Sequence, residues 1–120
     1  MEEYREKQRI IQELVPGKQI TLAHIIANPD EILYKKLGLD PAVEYSRSAI
    51  GILTLSPAET AIIAGDIAIK SSGAQLGFVD RFRGTVIITG TYSEVESSLR
   101  AITEYAETTL GFTVCALTKT

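Results

Sequence analysis

The stretch AIGILTLSPAETAIIAGDIAIK, residues 49–70, joins a strand pattern directly to a helix start. Its first seven residues are mostly apolar and include β-branched side chains, which is typical of a short strand. The SPAE sequence at 56–59 then combines a serine cap, a proline at the first helical position and a glutamate three residues after the cap. This pattern predicts a helix from residue 57 to about Lys70, with Gly73 nearby to end it.

Two further helices and four further strands are predicted around this stretch. The SEVE sequence at 93–96 repeats the capping pattern, and an apolar stripe of period three to four follows it as far as Gly111. A shorter helix begins at 28–31 and ends near Gly38. The stretch 40–48 is predicted to be a loop. The apolar stripe after the SEVE sequence comprises Val95, Leu99, Ile102, Ala106 and Leu110. The strands are predicted at 18–27, 49–55, 75–81, 85–91 and 112–118.

From Ala49 onward the order is strand, helix, strand, strand, helix, strand. That order predicts an α+β domain of the ferredoxin-like, split βαβ kind, with an antiparallel sheet and both helices on one face. Small residues on the first helix, Ala61, Gly65 and Ala68, are spaced to let it lie close to the sheet or to a neighbouring subunit.

An extra strand and helix precede this core at 18–38. A further apolar segment, 9–15, closed by Pro16 and Gly17, has no evident partner within the core. Since unpaired strands are normally paired or covered, this segment favours an oligomer in which copies pair with one another. We therefore predict an N-terminal strand extension over 1–17 and a single domain over 18–120.

The composition limits the classes of partner. The 120-residue chain is 45% hydrophobic and 22% charged, with a net charge of −3, and is long enough to bury a core. We expect no nucleic acid or membrane partner, because both require a basic surface or a long apolar span. A charged start without a signal-peptide core and a single cysteine favour a cytoplasmic location.

The residue inventory disfavours an enzyme. The only histidine, His24, shares its strand parity with Ile20, Leu22 and Ile26, so a half-buried structural role is favoured over catalysis. Cys115 lies in a predicted buried strand, where inert packing is expected. No phosphate-binding glycine loop is present, and one histidine and one cysteine leave little room for a metal site. We expect no catalytic residues, no cofactor and no metal.

Three segments together resemble a known family. VPGKQITLAHIIANP at 15–29, AIGILTLSPAETAIIAGDIAIK at 49–70 and LGFVDRFRGTVIITG at 76–90 are similar to segments of bacterial microcompartment shell proteins. The likeness is to the circularly permuted single-domain kind found in ethanolamine, propanediol and choline utilisation compartments, with a lean towards choline. In unpermuted relatives the strand and helix that here precede the core come last.

The resemblance implies a structural role and a set of assembly residues. It implies hexameric rings that tile edge to edge with other shell proteins around a metabolic enzyme core inside the cytoplasm. The turn between two adjacent strands would line a central pore, and a short N-terminal strand would join its copies as a cap over that pore. The implied pore residues are Asp80, Arg81, Phe82, Arg83 and Gly84; the capping strand is Ile10, Ile11, Gln12, Glu13, Leu14 and Val15; the edge residues are Asp66, Lys70 and Thr89.

Two departures from the family pattern bear on assembly. Thr89 stands where unpermuted relatives carry an arginine near the contact between rings, and Arg83 stands where a small or polar residue is expected. Six copies of Arg83 around one axis would repel each other unless anions or Asp80 offset them. We hypothesise that such a mouth favours small anions or neutral metabolites and disfavours cations.

Alternatives follow for both assembly and function. The Asp66–Lys70 spacing is also that of an ordinary surface ion pair on a helix. Subunits that do not close into a ring would form a helical filament, and Gly51 within a strand could allow a bend that favours it. The alternative function is a ferredoxin-like small-molecule-binding regulatory domain.

Overall fold

The structure, a computed structural model, describes residues 17–43 and 45–120. The predicted segment 9–15, including the capping strand, lies outside the described residues. The elements in chain order are β1 Gln19–Ile26, α1 Glu31–Lys36, β2 Ala49–Ser56, α2 Thr60–Ser71, β3 Gln75–Asp80, β4 Thr85–Gly90, α3 Tyr92–Thr108, β5 Thr113–Val114 and β6 Thr118–Lys119.

The strands form one sheet in the order β3-β4-β2-β1-β5, with β6 also paired to β1. The pairs from β3 to β1 are antiparallel, whereas β5 and β6 run parallel to β1. The predicted α+β class and antiparallel core are confirmed. However, β1 occupies the place beside β2 that the ferredoxin-like pattern assigns to the last strand of the chain.

The predicted strand over 112–118 is wrong in its extent. Only two residues pair in β5 and two in β6, and residues 115–117 between them are outside any strand. Because β1 occupies the edge of β2, the end of the chain pairs with the outer edge of β1 instead. That edge is irregular, since the register of β1 shifts between Ile20 and Leu22.

The main core lies between the sheet and helices α2 and α3. Buried residues of the two helices pack against one face of β1, β2 and β4. The predicted small-residue face of α2 is confirmed, because Ala61, Gly65 and Ala68 are all buried. A methyl group on Gly65 would lie 3.3 Å from Val79 Cγ2, so this helix approaches β3 very closely.

A smaller cluster lies on the opposite face of the sheet. It comprises Tyr34 and Leu39, from α1 and the residues after it, with Ile50 of β2 and Ile87 of β4. The short helix α1 therefore covers only part of this face. The rest of the face is not covered by any described element, as the exposure of Leu22 and Phe78 indicates.

Two helix starts differ from the sequence predictions. Ser56 does not cap α2, because it pairs with Gln19 as the last residue of β2; turns over 57–59 intervene before the helix begins at Thr60. The N-terminal cap of α3, Thr91, lies two residues before the predicted Ser93 cap. Thr91 and Glu94 form the capping box, which satisfies the backbone N–H groups of both residues.

Gly51 has a packing role in the middle of β2. A methyl group at this position would lie 2.7 Å from Val95 Cγ1 and 2.8 Å from Ile88 Cγ1. The absence of a side chain therefore lets α3 seat Val95 directly on the sheet. The sequence had suggested a bend at this glycine, whereas β2 continues to pair on both sides of it.

We expect Gly51→Ala to lower the free energy of unfolding by about 1–3 kcal/mol, because the added methyl overpacks the core. Chemical denaturation at one fixed protein concentration measures this change. In a Val95→Ala background the same substitution should cost less, since the close contact with Val95 is removed and only that with Ile88 remains. Equal losses in both backgrounds would contradict the packing role.

Candidate functional site

The turn between β3 and β4 has a rigid backbone organised by Asp80. One carboxylate oxygen, Oδ1, accepts hydrogen bonds from the backbone N–H of Phe82 at 2.8 Å and of Arg83 at 3.0 Å. The N–H of Gly84 donates to the carbonyl of Asp80 at 2.8 Å. An aspartate that accepts from the backbone two and three residues ahead stabilises a tight turn, so Asp80 shapes the turn that carries both arginines.

Gly84 joins this turn to the neighbouring strand β2. Its φ of +81° lies in the left-handed region, which glycine adopts without strain. The N–H of Leu55 donates to the carbonyl of Gly84 at 2.9 Å. A Cβ atom at Gly84 would overlap the carbonyl oxygen of Leu55, so no other residue fits this contact unchanged.

The side chains of the turn form a cationic and aromatic protrusion. Phe82 is 80% exposed, and the Arg81 guanidinium carbon lies 5.0 Å from the centre of its ring. Such a cation–π contact orients an arginine without neutralising it. Within residues 17–43 and 45–120, neither Arg81 nor Arg83 forms an ion pair. The five residues implied as pore residues thus make one compact surface.

The three implied edge residues lie in two different environments. Lys70 Nζ and Asp66 Oδ2 are 2.9 Å apart on the outer face of α2, and their side chains are 74% and 57% exposed. Thr89 is only 2% exposed, because it lies inside the sheet on β4. A buried threonine does not present its side chain to a neighbouring molecule directly, whereas the exposed Asp66–Lys70 pair does.

His24 is held by the end of the chain. Its Nδ1 lies 2.6 Å from Thr118 Oγ1 and its Nε2 lies 2.9 Å from Thr120 Oγ1. Both ring nitrogens therefore have hydroxyl partners, and no carboxylate of residues 17–43 or 45–120 orients the ring as a catalytic base requires. The predicted shared parity with Ile20 is wrong, because the bulge after Ile20 turns that residue to the helix side of the sheet.

Cys115 lies between β5 and β6, outside the strand that was predicted to contain it. The thiol is half-buried and packs against the helix-side core. Among the residues that the structure describes, no group of three His, Cys, Asp or Glu side chains could hold a metal ion. In the same part of the chain no helix is both long and apolar enough to cross a membrane.

A cavity beside α1 was not predicted from the sequence. It measures about 660 Å³ and is lined in part by Tyr34, Tyr45, Lys35 and Asp40. The two tyrosine rings stack with centres 5.4 Å apart, and the Tyr34 hydroxyl donates to the carbonyl of Ser48 at 2.5 Å. Tyr34 and Tyr45 are eleven residues apart, and Tyr45 lies in a predicted loop, so no sequence pattern indicated that their rings would stack.

Burial and nearby carboxylates change the acidity of these tyrosines. Burial raises the pKa of Tyr34 above its ordinary value, and the charge of Glu31 raises it further. Burial likewise raises the pKa of Tyr45; the charge of Asp40 raises it further, and a hydrogen bond with the backbone of Asp40 acts in the opposite direction. Both hydroxyls are therefore neutral at physiological pH, which suits packing and hydrogen-bond donation rather than nucleophilic or base chemistry.

We expect Asp80→Ala to loosen the turn by removing the acceptor of two backbone N–H groups. A loss of about 1 kcal/mol corresponds to roughly fivefold faster amide hydrogen exchange at Phe82 and Arg83. Asp80→Asn is the matched control, because its side-chain oxygen can still accept both bonds. Unchanged exchange rates in Asp80→Ala would show that the carboxylate does not organise the turn.

Comparison with known proteins places this geometry in a family. The BMC domain profile matches residues 49–118, from the start of β2 into β6. The chain is 52% identical over 120 residues to the bacterial microcompartment shell protein PduU of Salmonella typhimurium strain LT2, and the match covers the whole of both chains. It is 51% identical over 119 residues to the shell protein CutR of Streptococcus intermedius, covering 99% of this chain and 98% of CutR.

Solved structures give the same result. A flat hexamer of CutR matches with a TM-score of 0.81 and 50% identity, covering 88% of this chain and 94% of that chain. A screw form of CutR matches with a TM-score of 0.77 and 50% identity, covering 88% of this chain and all of that chain. With β2 to β5 inside the matched domain and full-length likeness to named shell proteins, the chain belongs to the BMC-domain family of bacterial microcompartment shell proteins.

Proposed function

We propose that this protein is a structural building block that forms rings of six copies, which tile with other shell proteins to enclose a microcompartment in the cytoplasm. The observation that carries this proposal is the full-length match to proteins named as shell proteins, together with the flat hexamer of CutR. The protein would contribute contacts rather than catalysis, since His24 and Cys115 take part in packing and hydrogen bonding.

Exposed apolar side chains beside an open sheet edge support self-association. The strand β3 pairs only with β4, so its outer edge is unpaired within the described chain. Leu76 and Phe78 on this strand and Ile62 and Ile69 on α2 are all substantially exposed. Exposed apolar side chains on a protein surface can mark contact sites, and an unpaired strand edge favours a neighbour that covers it.

The position of β1 supports a circular permutation. It pairs with β2 along seven residue pairs, in the place where the last strand of a ferredoxin-like domain would lie, and it precedes the matched domain in the chain. We infer that β1 and α1 correspond to the elements that end the chain in unpermuted relatives. The domain boundary that we propose, 1–17 and 18–120, follows from this arrangement.

The pairing register supports a capped pore. Gln19 pairs with Ser56, and the adjacent Leu55 donates to Gly84 of the arginine turn. The chain therefore enters the sheet at the same end as that turn. A segment preceding Gly17 can reach the same axis as residues 80–84, which supports the proposed pore turn and the proposed capping strand Ile10–Val15 together.

Electron microscopy of the purified protein tests the assembly directly. Head-to-tail contacts close into a ring when the rotation per subunit allows it and otherwise continue into a helix. We therefore expect six-membered rings or helical arrays of the same protomers. A monomer at high concentration, or a small compact oligomer whose melting temperature rises saturably with a small ligand, would contradict the proposal. The second result would favour a small-molecule-binding regulatory domain instead.

The edge role proposed for Lys70 has its own test. We expect Lys70→Ala to leave single rings intact but to abolish their lateral tiling, as seen by microscopy of protein spread at high concentration. Loss of the exposed Asp66–Lys70 pair should change the stability of the protomer by less than about 0.5 kcal/mol. Arg100→Ala, which breaks the comparable exposed pair with Glu96 on α3, is the control. Normal tiling by Lys70→Ala would remove Lys70 from the edge contact.

A further inference from the structure

We propose that the cavity beside α1 binds small organic cations that carry an aromatic or apolar body, such as arylalkyl ammonium ions. In this site the rings of Tyr34 and Tyr45 contact the body of the ligand, and the carboxylates of Glu31 and Asp40 contact its charged group. The cavity lies within one protomer, on the face of the sheet opposite α2 and α3. The inference therefore goes beyond the proposed shell function and does not depend on ring formation.

The cavity has the size and the lining of a small-molecule site. Its volume of about 660 Å³ falls within the range of roughly 300–1,000 Å³ that such sites occupy. Tyr34 and Leu39 form the buried part of the lining and pack on strands β2 and β4. Pro41 and Val43 add further apolar surface. An apolar lining with a few polar groups is what a ligand with an apolar body requires.

Hydrogen bonds within the protomer fix the lining. The Tyr34 hydroxyl donates to the carbonyl of Ser48, which ties α1 to the residue before β2. In the loop after α1, Asp40 Oδ1 accepts from the N–H of Ala42 at 2.9 Å, and the Asp40 carbonyl accepts from the N–H of Val43 at 3.1 Å. A cavity whose walls are already ordered loses less conformational freedom when a ligand binds.

The two tyrosines give the cavity an aromatic wall of defined orientation. Their rings stack with centres 5.4 Å apart and an angle of 14° between the ring planes. Tyr34 is buried, whereas Tyr45 is partly exposed and brings aromatic surface to the cavity. Aromatic rings pack against apolar groups and attract cations through their π faces.

The charged residues of the lining favour a cation over an anion. Glu31 and Asp40 carry two negative charges against the single positive charge of Lys35. All three residues are exposed, and none forms an ion pair within residues 17–43 and 45–120. Besides burial, the charges of Glu31 and Asp40 raise the pKa of Tyr34 and Tyr45 respectively, so each carboxylate lies near one tyrosine hydroxyl. Aromatic rings and carboxylates thus converge on one cavity, and this combination recognises organic ammonium groups.

Isothermal titration with three phenyl compounds of similar size tests the site. The compounds are 2-phenylethylammonium as the cation, 2-phenylethanol as the neutral analogue and phenylacetate as the anion. We expect the cation to bind about fivefold more tightly than the alcohol at low salt, because two exposed carboxylates each contribute modestly, and the anion to bind most weakly. Raising the salt concentration from about 50 to 500 mM should narrow the difference between cation and alcohol.

The double variant Glu31→Gln/Asp40→Asn identifies the source of this preference. It removes both charges and keeps a side-chain oxygen that can accept from Ala42. We expect the cation to bind this variant no more tightly than the alcohol, while the affinity for the alcohol stays within about twofold of the parent. The matched control is Glu104→Gln/Glu107→Gln, which removes two exposed charges from α3 and should keep the parent's preference.

Tyr45 provides an independent test of the aromatic wall. Tyr45→Leu should weaken the binding of both the cation and the alcohol about fivefold or more, whereas Tyr45→Phe keeps the ring and should bind both within about twofold of the parent. If circular dichroism shows that Tyr45→Leu is unfolded, the comparison between the two double variants decides, and their alcohol binding verifies their fold.

The outcomes separate this site from the shell function. A parent protein that binds none of the compounds, or that binds cation and alcohol equally at low salt, would overturn the site and leave the shell function intact. Equal loss of the preference in the two double variants would also overturn it. A parent that binds the cation but forms no rings or arrays would overturn the shell function and support the site.

Discussion

The pairing of β1 with β2 is the constraint on which the rest of this structure depends. It places an N-terminal strand in the interior of the sheet, with β2 on one side and the short strands β5 and β6 on the other. The last segment of the chain is thereby confined to the outer edge of β1, where Thr118 and Thr120 bind His24. The same pairing brings the start of the domain to the end of the sheet that carries the arginine turn.

Close packing on one face and incomplete cover on the other explain why this fold suits assembly. Small residues on α2 and Gly51 on β2 let two helices lie directly on the sheet. On the outer side of α2 and along β3, large apolar side chains remain exposed. A protomer that is well packed internally but leaves such a surface and a strand edge open is stabilised further by copies of itself.

Elements with strong local patterns were predictable, and their boundaries were less so. The stripe behind Glu94 predicted α3, yet its cap is Thr91, because this residue and Glu94 satisfy each other's backbone N–H groups. The capping pattern at Ser56 was misleading, since pairing with Gln19 keeps that serine in β2. At Ser56 pairing with a distant strand decided the boundary, whereas at α3 the local capping box of Thr91 with Glu94 formed in place of the predicted one at Ser93.

The sequence by itself determined the α+β class, the order of the main elements, the small-residue face of α2 and the arginine turn, because each depends on residue types a few positions apart. Only the tertiary structure decided that β1 takes the interior place beside β2, that Thr89 is buried, and that Asp80 bonds to the backbone rather than to an arginine. These features depend on pairings between segments far apart in the chain or on competition among several hydrogen-bond donors. Local spacing carries no information about which of those partners is geometrically within reach.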